Sequence, residues 1–403
     1  EASPSASFEY SRGFGGGREY IRNREVWETG LDLSVPQPFI NDKGIQEHVQ
    51  SERVKFADFD RFVETRPGEV VLMKTDVAVP SFREALSKAT DSLIELSEVH
   101  YKQMEHYENP YYRSTVQCVC EPLKVRIITK GDAYGQWVSR FFQKGLWDHL
   151  QHYPQFSITG RPLDQSDLEG ILIREQMMEE YVRKDLSLRK DQVIFREEEL
   201  FWVSGDYSAA TDGLKIATTK IAFETFLEQC DYSEDLKDVL RAVLYEQSIH
   251  YNFGPEGSGT VHQILDTLDD PEERIGTNHS NTSIMVDQAN GQLMGSVLSF
   301  PILCWINLIT YQYALYLRTG SLIPIALLPV LVNGDDILFR ADSALYDIWQ
   351  ECLGIPSFEL SLGKNYTHKH SLMINSQLFN YQGTRKYHTF KEIHFFNTGL
   401  LTG

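Results

Sequence analysis

Positive charge is what this sequence is shortest of: 38 Lys and Arg stand against 57 Asp and Glu in 403 residues, a net charge of -19. That balance excludes a protein coated in basic surface, so any nucleic-acid contact has to be a local basic lining inside an acidic shell. Cysteine is scarce as well. The five residues, Cys118, Cys120, Cys230, Cys304 and Cys352, form no pair of CxxC motifs, and their mostly apolar contexts predict reduced, buried thiols. Cys118-x-Cys120 is half a metal site without a second Cys/His pair at matching spacing. No membrane-length apolar run is unbroken. Asn307, Thr310 and Gln312 interrupt the stretch 300–317, and the run after it carries Pro324 and Pro329, so a buried helix is expected and no membrane span. The N-terminus has neither the basic nor the apolar region of a secretory signal. Its first residue is Glu1 instead of Met, which leads us to expect a processed product or an excerpt of a longer chain.

What is present is enough for a large core: 42% of residues are apolar and 12% aromatic, suggesting two or three domains or subdomains. The chain is organised around Val330 to Ala341. Two short β-prone runs flank Asn333-Gly334, the strongest local hairpin signal, because both residues tolerate positive φ where the chain reverses. Asp335 and Asp336 then sit at the tip. Two like charges side by side cost energy unless a cation lies between them, and Mg²⁺ is the ion that suits them. Ordinary turn chemistry also explains an Asp after Asn-Gly.

In residues 118–132 a strand places Lys124 and Arg126 two apart, hence on one face, and Lys130 continues that parity. Three cations with no acid among them suit a triphosphate. Nearer the N-terminus, Gly13 and Gly15 to Gly17 lie among Arg12, Arg18, Arg22 and Arg24, a basic loop able to touch phosphates. From 45 to 107 only 81–96 has helical spacing, and no chemistry is legible there. Leu200-Phe-Trp-Val-Ser-Gly-Asp206 reads as a buried strand ending at an acid, where α+β proteins tend to place chemistry. A helix follows, with Thr211 or Asp212 as its cap, one stripe of Leu214, Ala217 and Ile221, and another of Ile216, Phe223 and Leu227. Between Cys230 and Asn281 lies a polar, acidic insertion. Gln288 to Pro301 is a Gly-rich loop running into a helix, and a later helix capped by Ser343 buries Leu345, Ile348, Trp349, Cys352 and Leu353. Leu372 to Phe379 is expected as one strand, and His368 and His370 as surface residues. An α+β sheet can bring Asp206 to Asp335 and Asp336, the geometry of a two-metal site with ions about 3.5 to 4 Å apart.

Ser204-Gly-Asp-Tyr-Ser-Ala-Ala-Thr-Asp212, Met294-Gly-Ser-Val-Leu-Ser-Phe-Pro301 and Asn333-Gly-Asp-Asp336 resemble motifs A, B and C of viral RNA-dependent RNA polymerases, with most similarity to the ourmia-like and narna-like (botourmiavirus) group of positive-strand RNA viruses. Leu123 to Lys130 resembles motif F, Gly363-Lys364 motif D, and 374–379 motif E, so the resemblance covers roughly residues 8 to 400. It implies an α+β, right-hand polymerase: 1–199 fingers with motif F, 200–230 palm, 231–285 a fingers insertion, 286–379 palm again, and 380–403 the start of a shortened thumb. The implied activity is template-directed RNA synthesis that replicates a viral genome. The implied cofactors are two Mg²⁺ ions, with Mn²⁺ as the alternative. Template and product RNA, NTPs and further viral or host factors are the implied partners, in the host cytoplasm or mitochondrion.

Carried over residue by residue, the resemblance gives Asp206 and Asp335 the metals with Asp336 assisting, and gives Asp212 and Ser299 the ribose hydroxyls. Gly295 and Ser296 fall in the template-and-NTP loop, Lys124, Arg126 and Lys130 on the triphosphate, and Lys364 on the leaving pyrophosphate. One position departs from the pattern. Many viral polymerases carry Asn four residues after the motif B hydroxyl, where this chain has Leu303, with Asn307 four further on as the remaining candidate for the sugar. Two other readings stay open: a reverse transcriptase, whose motif C usually has an aromatic where Asn333 stands, and a non-enzymatic acidic ion-binding protein.

Overall fold

The computed structural model describes residues 113–121, 124–189, 192–253 and 283–394, with short stretches before and between them. The 81–96 helix, Arg22, Arg24 and residues 395–403 fall outside the described residues. The chain divides into two compact units, one of residues 1–117, 129–139 and 233–287, the other of 118–128, 140–232 and 288–403. Residues 140–199, grouped above with the N-terminal segment, therefore cluster with the unit that carries the acid-tipped hairpin.

In the first unit the strand Ser248–Asn252 pairs antiparallel with Ser283–Asp287 and parallel with the start of Arg113–Glu121. The strand Lys124–Gly131 is divided between the units, with residues 124–128 in the second and 129–131 in the first. The helix Glu234–Tyr245 is capped by Ser233, whose Oγ accepts from the Leu236 N–H at 3.3 Å, and Glu234 and Asp235 in its first turn complement the helix dipole.

The second unit is built on a four-stranded antiparallel sheet, in the order Val330–Asn333, Asp336–Ala341, Phe201–Gly205, Tyr366–His368. Both faces are covered, which is why the Val-Leu-Val and Ile-Leu-Phe runs are apolar at every position. On one face Trp202, Leu331 and Leu338 meet Leu168, Ile171 and Leu172 of the helix Gln165–Asp185 and Leu372, Phe379 and Phe390 of a C-terminal three-stranded sheet. On the other, Phe339 packs against Tyr311 of the helix Ser299–Thr319 (ring centroids 4.7 Å apart) and Trp349 of the helix Ser343–Cys352 (5.1 Å). The Ser299–Thr319 helix is long and apolar enough to cross a membrane, yet 61% of its most apolar window is buried in the protein, as a core helix requires.

Several local expectations change. The hairpin turn is centred one residue later than Asn333-Gly334. Asn333 pairs with Asp336 and only Gly334 has positive φ (67°), the type II′ pattern that demands Gly first. Asp342, not Ser343, caps the following helix, accepting from the Leu345 N–H at 2.8 Å. Neither Thr211 nor Asp212 caps the helix Ile216–Leu227; Asn290 Oδ1 takes the Ile216 N–H at 3.2 Å from a distant loop. In that helix the buried stripe is Thr219, Phe223 and Leu227, whereas Ala217 and Ile221 face solvent. The expected strand Leu372 to Phe379 is two strands, Ser371–Ile374 and Gln377–Gly383, because Asn375 and Ser376 both adopt the left-handed conformation (φ 51° and 61°). All five cysteines are free, but only Cys304 and Cys352 are buried; Cys118 and Cys120 are exposed.

Behind the sheet a buried ion network ties four segments together. Arg340 pairs with Glu175 (2.9 Å) and Glu197 (2.7 Å), and Arg385 with Glu175 (3.2 Å), Glu179 (2.9 Å) and Glu197 (3.2 Å). Burial pushes the Glu175 carboxyl up to about 7 even against the two guanidinium groups. Removing one partner strands a buried charge, so Arg340→Met should cost about 3–5 kcal/mol at pH 8. A carboxyl with a raised folded pKa is neutralised on folding as pH falls through that value, so the loss should shrink between pH 8 and pH 6. Chemical unfolding at both pH values measures it; an equal loss at both would assign the cost to packing.

Candidate active site

The sheet register determines where the acids go. Ile337 stands opposite Gly205, and one rung further along the same two strands Asp336 and Asp206 leave the sheet at the same end. Asp206 is held by its backbone: its N–H donates to Asn365 Oδ1 at 2.9 Å, and its carbonyl accepts from Asn365 Nδ2 at 3.1 Å and from the Ser361 N–H at 2.9 Å. Its carboxylate takes Lys364 Nζ at 3.1 Å. Asp335 occupies the turn and opens onto the cavity, whose walls still shield it from bulk water. That burial raises its carboxyl, Asp206 raises it further, and Lys364 and Arg126 pull it back. Asp336 is pushed up to about 6 by burial and then by Asp335 and Asp206, against the Asn375 N–H and Lys364. Three acids at one sheet end thus repel one another, and two basic side chains partly offset them.

A cavity of about 630 Å³ opens beside these acids, lined by Arg126, Gly295, Ser296, Ser299, Asp335 and Lys364 among others. Ser299 is nearly buried, and its Oγ donates to Gln292 Oε1 at 3.0 Å, while Gln292 Nε2 donates to Thr219 Oγ1 at 3.1 Å. The loop preceding Ser299 is latched to the chain after Asp206: Gln292 N–H donates to the Thr211 carbonyl at 2.7 Å and Gly291 N–H to the Leu214 carbonyl at 2.8 Å. Gly291 has φ 72°, and a Cβ there would lie 2.7 Å from the Asp212 carbonyl oxygen, so only glycine permits this approach. Asp212 sits in a one-turn helix, Ala210–Gly213, with its carboxyl raised by partial burial against a hydrogen bond from Thr211; Thr211, not Asp212, lines the cavity.

Not every expected residue joins this cavity. Asn307 is fully buried, donating from Nδ2 to the Gly334 carbonyl at 3.0 Å and accepting from the Tyr207 hydroxyl at 2.9 Å, so its amide is occupied and does not reach a sugar. Lys130 is half-buried and belongs to the other unit, and the side chain of Lys124 lies outside the described residues. His368 and His370 are exposed, and His368 Nδ1 accepts from the His370 and Ser371 N–H groups. Sequence reasoning missed Asn365, Gln292 and Asn375, because neither an amide side chain nor a backbone N–H carries a local signal of the distant group it meets.

Among the described residues no group of three or more His, Cys, Asp or Glu side chains is gathered closely enough to form a ready metal cage. The donor set nonetheless fits a divalent cation: Asp206, Asp335 and Asp336 offer hard oxygens, and the carboxyls of the latter two are raised first by burial and further by the neighbouring acids, charge that a cation would offset.

No protein-family model matches the chain. Over 269 residues it is 33% identical to the RNA-dependent RNA polymerase of Ourmia melon virus, a match covering 66% of this chain and 27% of that protein. Across that stretch the chain is thus similar in sequence to a viral RNA-dependent RNA polymerase. It spans about a quarter (27%) of the length of that polymerase. Among solved structures, the RNA-dependent RNA polymerase of a human picobirnavirus aligns with a TM-score of 0.44 at 10% identity, covering 67% of this chain and 43% of that one. An insertion loop deletion mutant of that polymerase aligns with a TM-score of 0.43 at 10% identity, over 67% and 44%. RNA-dependent RNA polymerases in general use divalent metal ions.

The acid cluster makes a pH prediction. Asp336 has a folded pKa of about 6 against an unfolded value of 3.8, so its charge destabilises the fold in full above about pH 6, and that penalty is lost progressively as pH falls from 6 to 3.8. With chelator present, Asp336→Asn should therefore melt above wild type at pH 7.5, and the gap should narrow below about pH 6 and close near 3.8. A gap as wide near 3.8 as at pH 7.5 would show that charge is not its source.

Proposed function

We propose that this chain carries the catalytic core of an RNA-dependent RNA polymerase, adding ribonucleotides from NTPs to an RNA 3′-hydroxyl under the direction of an RNA template, in replication of a positive-strand viral genome. The observation that carries the reading is the sheet register, which delivers Asp206, Asp335 and Asp336 to one end beside a cavity holding Arg126 and Lys364. The sequence relationship to the ourmiavirus polymerase supports the choice of RNA over DNA synthesis and leaves the reverse-transcriptase and ion-binding alternatives without support.

In this reading Asp206 and Asp335, with Asp336, hold two Mg²⁺ ions, Mn²⁺ being the alternative. Bound there, the ions would supply charge stabilisation for the attacking and leaving oxygens. The chain's own residues do the rest. Arg126 neutralises the incoming triphosphate, and Lys124 and Lys130 extend the same strand. Lys364, which pairs with Asp206 at 3.1 Å, is the residue that would face the leaving pyrophosphate, and its ammonium can give up a proton there. The Ser299 hydroxyl donates to Gln292, which leaves its lone pairs for a ribose hydroxyl, and Asp212 is the second polar group assigned to the sugar. Gly295 and Ser296 let the loop backbone approach the template and NTP. Residues 200–230 and 286–379 form the palm, 1–199 and 231–285 the fingers, and 380–403 the beginning of a thumb; the host cytoplasm is the proposed setting.

Purified protein on primed homopolymer RNA should incorporate rNTPs and not dNTPs, and Asp335→Asn should abolish synthesis without lowering thermal stability, because it removes one charge from a repelling set. Synthesis retained by that variant with unchanged Mg²⁺ dependence would sink the assignment. Arg126→Ala should raise the KM for NTP by the equivalent of about 1.5–3 kcal/mol, one charge-assisted phosphate contact, with little change in RNA affinity. If RNA affinity falls instead and KM holds, the strand lines the RNA path.

A further inference from the structure

We infer that Asn307 is a positioning residue that sets the separation of Asp206 and Asp335, and with it the spacing at which the two carboxylates can share cations. The inference rests on the metal-site reading above and gives Asn307 a role other than sugar recognition.

The geometry is a buried bridge between the two neighbours of those acids. Asn307 Nδ2 donates to the carbonyl of Gly334, the residue before Asp335, at 3.0 Å. Asn307 Oδ1 accepts from the hydroxyl of Tyr207, the residue after Asp206, at 2.9 Å. The orientation of the amide is determined chemically, since a backbone carbonyl can only accept, so Nδ2 must face Gly334 and the phenol must be the donor. Burial pushes the Tyr207 phenol well above its ordinary pKa, which keeps that donor protonated.

Neither end of the bridge is free to drift. Tyr207 is buried, and its ring stacks on Phe358 with centroids 4.4 Å apart and planes 10° apart. Gly334 is also held through its own N–H, which donates to Cys304 Sγ at 3.1 Å, one helical turn before Asn307. A Cβ on Gly334 would meet the Phe300 ring at 2.8 Å, so residues of the same helix close in on the turn from another side. Both polar groups of the Gly334 residue therefore answer to the Ser299–Thr319 helix, and through Asn307 that helix also holds the residue beside Asp206. Repulsion among Asp206, Asp335 and Asp336 pushes the strand ends apart, and the bridge resists it.

The test uses the full chain with Mn²⁺ as the probe, its binding followed by electron paramagnetic resonance without NTP, alongside melting curves in chelator. Asn307→Leu deletes both bonds at similar volume, and Tyr207→Phe deletes one while keeping the ring stack. Val182→Ala, in the Gln165–Asp185 helix, serves as a core variant that loses stability alone. Asn307→Leu should weaken Mn²⁺ binding about ten- to hundredfold, the range for groups that orient metal ligands. Tyr207→Phe should weaken it less, and Val182→Ala should melt earlier with wild-type affinity. Folded Asn307→Leu with wild-type affinity would overturn the inference; if that variant does not fold, unchanged affinity in Tyr207→Phe overturns it instead. Asp335→Asn with undiminished Mn²⁺ binding would bring down the metal-site reading itself, and this inference with it.

Discussion

Electrostatic repulsion at the end of one antiparallel sheet is the constraint on which the rest of this structure depends. Asp206 follows one strand and Asp335 and Asp336 close the neighbouring hairpin, and the register leaves no way for them to avoid one another. Burial first and the neighbouring acids second raise the carboxyls of Asp335 and Asp336, the latter to about 6. Such a cluster persists only if packing and backbone hydrogen bonds elsewhere hold the strands in place. The same unfavourable charge is what makes the site receptive to divalent cations.

Two kinds of support hold it. Around the acids, two amides and a thiol fix the backbone: Asn365 grips the main chain of Asp206 from both sides, and Asn307 and Cys304 grip Gly334. Behind them, Arg340 reaches from the hairpin strand to Glu175 and Glu197, and Arg385 adds the loop of the C-terminal sheet to the same network. A buried ion network gives little net stability over an apolar core, but it is sensitive to register, since a slip by one residue would turn Arg340 to the opposite face.

The cavity draws its walls from segments far apart in sequence. The loop before Ser299 is pinned to the turn after Asp206 through backbone bonds at Gln292 and Gly291, so a movement of either would be felt by the other. Ser299 is accordingly held by Gln292 before any ligand arrives. Lys364 is likewise pre-engaged with Asp206, which makes it a counter-charge that cations would displace.

Much of this was legible in the sequence alone. The apolar runs around Asn333-Gly334, the strand ending at Asp206 and the Pro-containing start of the Ser299 helix are local patterns, governed by side-chain alternation and turn stereochemistry within a few residues. The motif order made the acids recognisable as a set. Local reading failed where a backbone group had two chemically equal suitors: Asp342 and Ser343 are both good caps, and Asn290 supplies from 74 residues away a hydrogen bond expected of Thr211 or Asp212. It failed again for Asn307, whose partners lie 27 and 100 residues off. An amide donates and accepts equally well, so its sequence position indicates only that it will bond. Which groups it joins was decided by the tertiary structure, because only the packing of the Ser299–Thr319 helix against the sheet brings Tyr207 and Gly334 within reach of one side chain.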